Sequence, residues 1–280
     1  MPVNLQSFIK TKDFLICVDS DGCAMDTMDI KHIRCFGPCM VEEWGLWQWK
    51  DEILVRWNEI NLYTATRGIN RFKGLAMALT EINEKYCSID GIDELNEWVS
   101  ESSELSNKSI KLAAVTAQGP CLEKAFSWSQ KVNAAITALP KGQKKPFAHV
   151  KDGLLAAHSL ADIAVVSSAN MEAVVEEWQR CCLLECVDVL CCQDVGSKAH
   201  CIEELAKKGY AKDHILMIGD APGDETASRE NGVYFYPIFV RHEAESWQEL
   251  EKTALSKFAE LCYDSYGKEK SLDFARNLGG

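Results

Sequence analysis

No stretch of the 280-residue chain approaches the ~18 uninterrupted apolar residues that a membrane span needs. The opening, Met1-Pro2-Val3-Asn4-Leu5-Gln6-Ser7-Phe8-Ile9-Lys10, has no apolar run behind a basic cluster. It does not read as a secretory signal, and the expected location is cytoplasmic, without a membrane partner. There is no low-complexity tract, no internal repeat and no run of like charge long enough to form a tail. Coiled-coil heptads are missing as well, so the sequence does not specify an oligomeric state. There are 13 cysteines, yet no two stand in the Cys-x-x-Cys spacing that favours zinc. Their odd number argues against a disulfide framework. The densest group, Cys181, Cys182, Cys186, Cys191 and Cys192, is expected to serve as small buried hydrophobes. Excess positive charge is also lacking. The net charge is -12, which repels nucleic acid but says little about a small substrate, since a local patch can still be basic.

Hydrophobic residues make up 47 %, enough for a real core. The chain reads in three stretches. In the first, Phe14-Leu15-Ile16-Cys17-Val18 is a continuous apolar run, the pattern of a strand buried on both faces. It ends on Asp19. The second, residues 27–145, has helical periodicity over 42–61, 71–84, 92–101 and 121–139. The run 110–115 fits helix or strand. Six tryptophans fall here, Trp44, Trp47, Trp49, Trp57, Trp98 and Trp128, and near-helical spacing makes them core candidates. Residues 140–146, rich in proline, glycine and lysine, read as a linker. The third stretch alternates: helix 150–158, strand 163–166, helix 171–181, strand 187–190, helix 198–208, strand 215–218, helix 224–230, strand 233–236 and a final helix 246–262. Such alternation predicts an α/β fold, a doubly wound parallel sheet with helices on both faces. The lone first strand most simply joins that sheet. The helical stretch is then an insertion, giving a core of residues 1–26 and 146–280 and an inserted helical domain of 27–145.

In doubly wound sheets, ligands bind at the carboxyl ends of the strands. There the sequence places Asp19 and Asp21 after the first strand, Ser167 after the second, and Gly219-Asp220 with Asp224 after a later one. Lys198 opens a helix. Alone, each piece is unremarkable: Gly-Asp is a common turn, Ser167 can cap a helix, and Lys198 can be solvated. Together they put several carboxylates, a hydroxyl and an ammonium on one edge. Clustered carboxylates repel, and a divalent cation relieves them; oxygen-only ligands favour Mg²⁺. Serine and lysine can hold phosphoryl oxygens. A carboxylate beside the metal can attack phosphorus to form an aspartyl-phosphate, and a second one two residues on can serve as acid and base.

These motifs resemble those of the haloacid dehalogenase-like hydrolases, in the subgroup with a helical cap inserted after the first strand. The four are Asp19-Ser20-Asp21-Gly22 with Asp26-Thr27, Val165-Val166-Ser167, Lys198, and Gly219-Asp220-Ala221-Pro222-Gly223-Asp224. The resemblance implies that Asp19 is nucleophile and metal ligand. It implies that Asp21 is general acid/base and ligates Mg²⁺ through its backbone carbonyl. Ser167 and Lys198 would bind the phosphoryl group; Asp220 and Asp224 would complete the metal site. Ser168 is the alternative to Ser167, and Glu225 to Asp224. Branches of the family that break carbon–halogen or carbon–phosphorus bonds generally lack an acid at the place of Asp21, so a small phosphate monoester is the expected substrate. A phosphomutase or phosphotransferase on the same chemistry, or a non-catalytic binding protein, stays open. Lys31 stands where capped relatives often carry histidine. Lys31, Arg34, Arg67, Arg71 and Lys73 are basic residues of the insertion that can meet an anion.

Overall fold

The structure, a computed structural model, describes residues 2–117 and 119–279. It divides into two compact units, 1–28 with 142–280, and 29–141.

The first unit is built on a six-stranded sheet. Its strands are β1 (Val3–Asn4), β2 (Phe14–Val18), β5 (Ala161–Val166), β6 (Val189–Cys191), β7 (Ile215–Gly219) and β8 (Tyr234–Pro237). Their order is β1-β6-β5-β2-β7-β8 and every pairing is parallel. β5 and β7 are buried at every residue, as their near-continuous apolar sequences require when helices cover both faces. The first apolar run does join this sheet. β2 lies between β5 and β7, with Val18 level with Val165 and Ile218. The strand order reverses on either side of it, so the topological switch point falls at its carboxyl end. β1 has no local signal: it is two exposed residues whose only reason to be extended is the edge of β6.

The opposite end of the sheet is tied by Asp162. Its buried carboxylate accepts from the backbone N–H of Thr11 (2.9 Å) and Lys12 (3.0 Å), from the Thr11 hydroxyl, and from the Tyr210 hydroxyl (2.5 Å). These bonds fix the approach to β2. Burial pushes the Asp162 carboxyl up, but the bonds it accepts outweigh that and hold it below the ordinary carboxylate value.

Two short strands, β3 (Met25–Asp26) and β4 (Lys145–Pro146), form an antiparallel ribbon where the chain leaves this unit and returns. Part of the segment read as a linker is therefore strand. The C-terminal helix extends from Glu243 through a π-helical turn to Ala259, and a further helix, Asp264–Asn277, follows it. The sequence did not suggest the latter: only Gly267 and Phe274 of its 14 residues are buried, so it carries almost no apolar period.

The second unit is helical among its described residues. Its core joins Phe36, Trp57, Phe72 and Trp128, with Trp57 and Trp128 edge-on at 6.0 Å. The helix expected over 42–61 is broken at Gly45, whose φ of 67° ends helix Gly37–Trp44 before Lys50–Asn58 begins. Trp47 lies in the resulting turn and is exposed, not core. The ambiguous run 110–115 is helix, Asn107–Ala117, burying Ile110 and Ala114 one turn apart while Leu112 and Val115 face solvent. Arg71 is held by Ser129 Oγ (3.0 Å) and Asn133 Oδ1 (2.8 Å), and lies over the Phe36 ring.

All 13 cysteines are free thiols. Of the dense group, Cys186, Cys191 and Cys192 are core as expected, but Cys181 is half-buried and Cys182 is exposed. Cys182 takes a left-handed φ of 54° in the turn that follows helix Met171–Arg180. Among the described residues, no helix is long and apolar enough to cross a membrane.

Candidate active site

Asp19 continues directly from β2. Its N–H still donates to Ile218 O at 3.0 Å, so the ladder holds its backbone while its side chain leaves the sheet edge. Asp220 follows β7 in the same way. Asp224 is the third residue of helix Pro222–Asn231, where the helix dipole favours a carboxylate. One oxygen of each of these three side chains lies within 4.8 Å of the others, and all three residues are buried. Lys198 starts helix Lys198–Ala206, which Ser197 caps by accepting from His200 N at 3.2 Å. Its ammonium reaches Asp19 Oδ2 at 2.9 Å and Asp224 Oδ1 at 2.5 Å.

The electrostatics follow from burial. Desolvation pushes the Asp19 carboxyl well above its usual value; Asp224 and Asp220 add to this and Lys198 opposes it. Burial would lower Lys198, but its attraction to Asp19 and Asp224 overrides that and keeps the ammonium charged. Two of the three buried carboxylates, Asp19 and Asp224, thus share one ammonium. This oxygen-only cluster is short of positive charge, and its donor chemistry fits Mg²⁺.

Asp21 is set apart from that cluster. Its Oδ1 accepts from the buried Thr27 hydroxyl at 2.5 Å. The residue sits in a tight loop closed by Met25 N donating to Ser20 O (2.8 Å) and Gly22 N donating to Met25 O (2.9 Å). Gly22 supplies the φ of 83° the loop needs. Ser167 lies just past the end of β5, beside β2, and is buried. Its N–H donates to Cys191 O (3.0 Å), and its Oγ accepts from Ala169 N (3.2 Å). Ser168 is exposed. Glu225 is half-buried and outside the carboxylate cluster that Asp224 joins.

Two residues without an assigned role in the sequence reading prove necessary to the geometry. Thr27 orients Asp21. Gly219 makes room for Asp224: a Cβ there would stand 2.3 Å from Asp224 Cγ and 2.4 Å from its Oδ2. That Oδ2 accepts from Ala221 N at 3.1 Å, which locks the side chain against the turn. A glycine at a strand end is a recognisable signal for such a close approach.

Residues 115–238 match the family model described as haloacid dehalogenase-like hydrolase. The match includes Ser167, Lys198, Asp220 and Asp224 but not Asp19 or Asp21. Comparison with curated proteins finds no match. Among solved structures, a protein of Lactobacillus delbrueckii subsp. bulgaricus, provisionally called a phosphoglycolate phosphatase, is 14% identical. The alignment covers 80% of this chain and 85% of that one, with a TM-score of 0.50, and shows a shared fold. A Thermotoga maritima protein, provisionally called a β-phosphoglucomutase, is 14% identical over 90% of this chain and 98% of that one, with a TM-score of 0.48. A haloacid dehalogenase-like family hydrolase from Streptococcus pneumoniae is 12% identical over 84% and 90%, with a TM-score of 0.45.

Proposed function

We propose that the chain is a member of the haloacid dehalogenase-like superfamily, whose family model matches residues 115–238, and a Mg²⁺-dependent hydrolase of small phosphate monoesters acting through an aspartyl-phosphate. The observation that carries this reading is the buried trio Asp19, Asp220 and Asp224 with Lys198 bridged across two of them.

The Asp19, Asp220 and Asp224 carboxylates and the Asp21 backbone carbonyl would hold the cation. When bound, Mg²⁺ offsets the carboxylate charge and polarises a phosphoryl oxygen. Asp19 attacks phosphorus with the carboxylate oxygen left free for it, and the bond to the leaving oxygen breaks. Lys198 offsets part of the burial that opposes ionisation of Asp19, and it can turn toward phosphoryl oxygens. Ser167, buried at the neighbouring strand end, donates its hydroxyl to one of those oxygens. Asp21, oriented by Thr27, protonates the departing alkoxide and then takes a proton from the water that opens the acyl-phosphate. The products are the alcohol and inorganic phosphate, and Asp19 is regenerated.

The test is a screen of phosphorylated metabolites with and without Mg²⁺, with products identified. Mg²⁺-dependent release of inorganic phosphate supports the reading. Phosphoryl transfer to a second sugar phosphate would make the chain a phosphomutase instead. Absence of turnover on every phosphomonoester would favour a binding protein on the same fold.

A further inference from the structure

The loop that carries Asp19 and Asp21 is held from below by two tryptophans. Trp178 lies in helix Met171–Arg180, and its indole N–H donates to Ser20 Oγ at 2.9 Å. Trp247 lies in helix Glu243–Glu249, and its indole N–H donates to Cys23 O at 2.9 Å. Neither ring has any exposed surface, and Ser20 is 1% exposed. Ser20 is the residue between the two aspartates, so its side chain is turned into the core while theirs are not. Trp247 in turn rests on Gly153, where a Cβ would come within 2.8 Å of its Cε3. One pin holds the start of the Ser20–Met25 loop and the other its middle, at Cys23.

The turn of helix that carries Trp178 does a second job. Glu177, on one side of it, pairs with Lys144 Nζ at 3.2 Å, both side chains being largely buried. Arg180, on the other, donates to Lys144 O at 2.7 Å. Lys144 immediately precedes β4, the return strand of the ribbon whose partner β3 follows the loop. One helical turn therefore fixes the nucleophile loop and the returning chain together. The same helix begins four residues after Ser167, capped by Asn170, whose Oδ1 accepts from Glu172 N at 2.9 Å.

We propose that Trp178 is a positioning residue: its indole N–H, through Ser20, sets where the Asp19 carboxylate and the Asp21 carbonyl stand. The proposal rests on the reading of Asp19 as nucleophile. A buried N–H···O bond in this place is directional, and a misplacement of about 1 Å in a reacting group lowers a rate by about 10²-fold. A tryptophan that merely filled space would be replaced by phenylalanine at a cost in stability alone.

Three variants decide it: Trp178→Phe, which keeps a ring and removes the donor; Ser20→Ala, which keeps the tryptophan and removes the acceptor; and both together. Phe274→Leu serves as a comparison of similar stability loss, since Phe274 packs against Phe235 in the same unit. Each single variant is expected to lower kcat by about 10- to 100-fold with KM within about twofold. The double variant should be no slower than the worse single one, because both remove one contact. Amide hydrogen exchange gives a readout that does not need turnover. The N–H groups of Gly22 and Met25 should exchange at least about tenfold faster in Trp178→Phe, while those of Phe14–Val18 stay protected. Unchanged exchange at Gly22 and Met25, or a kcat no lower than that of Phe274→Leu, overturns the proposal. A wild-type protein inactive on all phosphomonoesters would overturn only the hydrolase reading, since the exchange result still decides whether Trp178 sets the loop.

Discussion

Replacing Gly219 with alanine adds one methyl group at the most crowded point of the site. The new Cβ would lie 2.3 Å from Asp224 Cγ, 2.4 Å from Asp224 Cβ and 2.4 Å from Asp224 Oδ2. Restoring ordinary carbon–carbon contact needs a shift of about 1 Å or more. Asp224 cannot yield freely. It is wholly buried, tied to Ala221 N and Lys198, and its own carbonyl accepts from Ser228 Oγ at 2.8 Å. The shift must therefore break the Lys198 pair or move the turn. Overpacking costs about 1–3 kcal/mol, and loss of the buried pair would raise that to about 3–5 kcal/mol. In activity, moving the proposed metal ligand Asp224 by this distance should lower kcat by about 10²-fold and weaken apparent Mg²⁺ affinity by about 10-fold. The assay is Mg²⁺-dependent hydrolysis of a generic phosphomonoester, with kcat measured across Mg²⁺ concentration, beside thermal melting. Gly223→Ala is the matched comparison. Nothing lies within 4 Å of a Cβ there, and the helical position should gain about 0.5–1 kcal/mol with activity kept. If Gly219→Ala turns over within about twofold of wild type, the close approach of strand end and Asp224 does not matter to the site.

Lys198→Met leaves Asp19 and Asp224, beside Asp220, buried without their shared ammonium. Metal-free protein should lose about 3–5 kcal/mol in denaturant titration, and Mg²⁺ should restore more stability than it adds to wild type; equal Mg²⁺ effects on the two would count against it. Asp21→Asn removes the acid while keeping the backbone carbonyl, so kcat should fall by about 10²–10⁴-fold with calorimetric Mg²⁺ affinity unchanged. A parallel loss of Mg²⁺ binding would contradict that division of roles. The Asp162 carboxyl is depressed below its ordinary 3.8, so the stability it contributes is full above that pH and is lost as pH falls through the depressed value. Asp162→Asn should cost about 2–4 kcal/mol at neutral pH, narrowing toward wild type below about pH 4. A constant difference from pH 7 to pH 3 would refute the sign.

The site was legible where its geometry is local. Apolar runs that stop at Asp19, Ser167 and Gly219 mark strand ends, and parallel strands in one sheet must bring those ends to one edge. The bridge from Lys198 to both Asp19 and Asp224 was not legible, because it depends on how helix Lys198–Ala206 seats against helix Pro222–Asn231 and β5. Nor was the anchoring of the loop. Trp178 and Ser20 are 158 residues apart, and their bond is a product of tertiary packing. Gly219 could have been read as a close-approach glycine, yet only the position of Asp224 gives it that meaning. β1 and helix Asp264–Asn277 escaped for the opposite reason, having too few buried residues to write a period into the sequence.

The central claim is that Asp19 takes the phosphoryl group. Acid-quenching turnover with a hydrolysed phosphomonoester and Mg²⁺, followed by peptide mass spectrometry, tests it directly. The account predicts the mass of one phosphoryl group, labile to base, on the peptide that carries Asp19, absent without Mg²⁺ and absent from Asp19→Asn. Turnover with no acyl-phosphate on that peptide, and with Asp19→Asn as active as wild type, would contradict it.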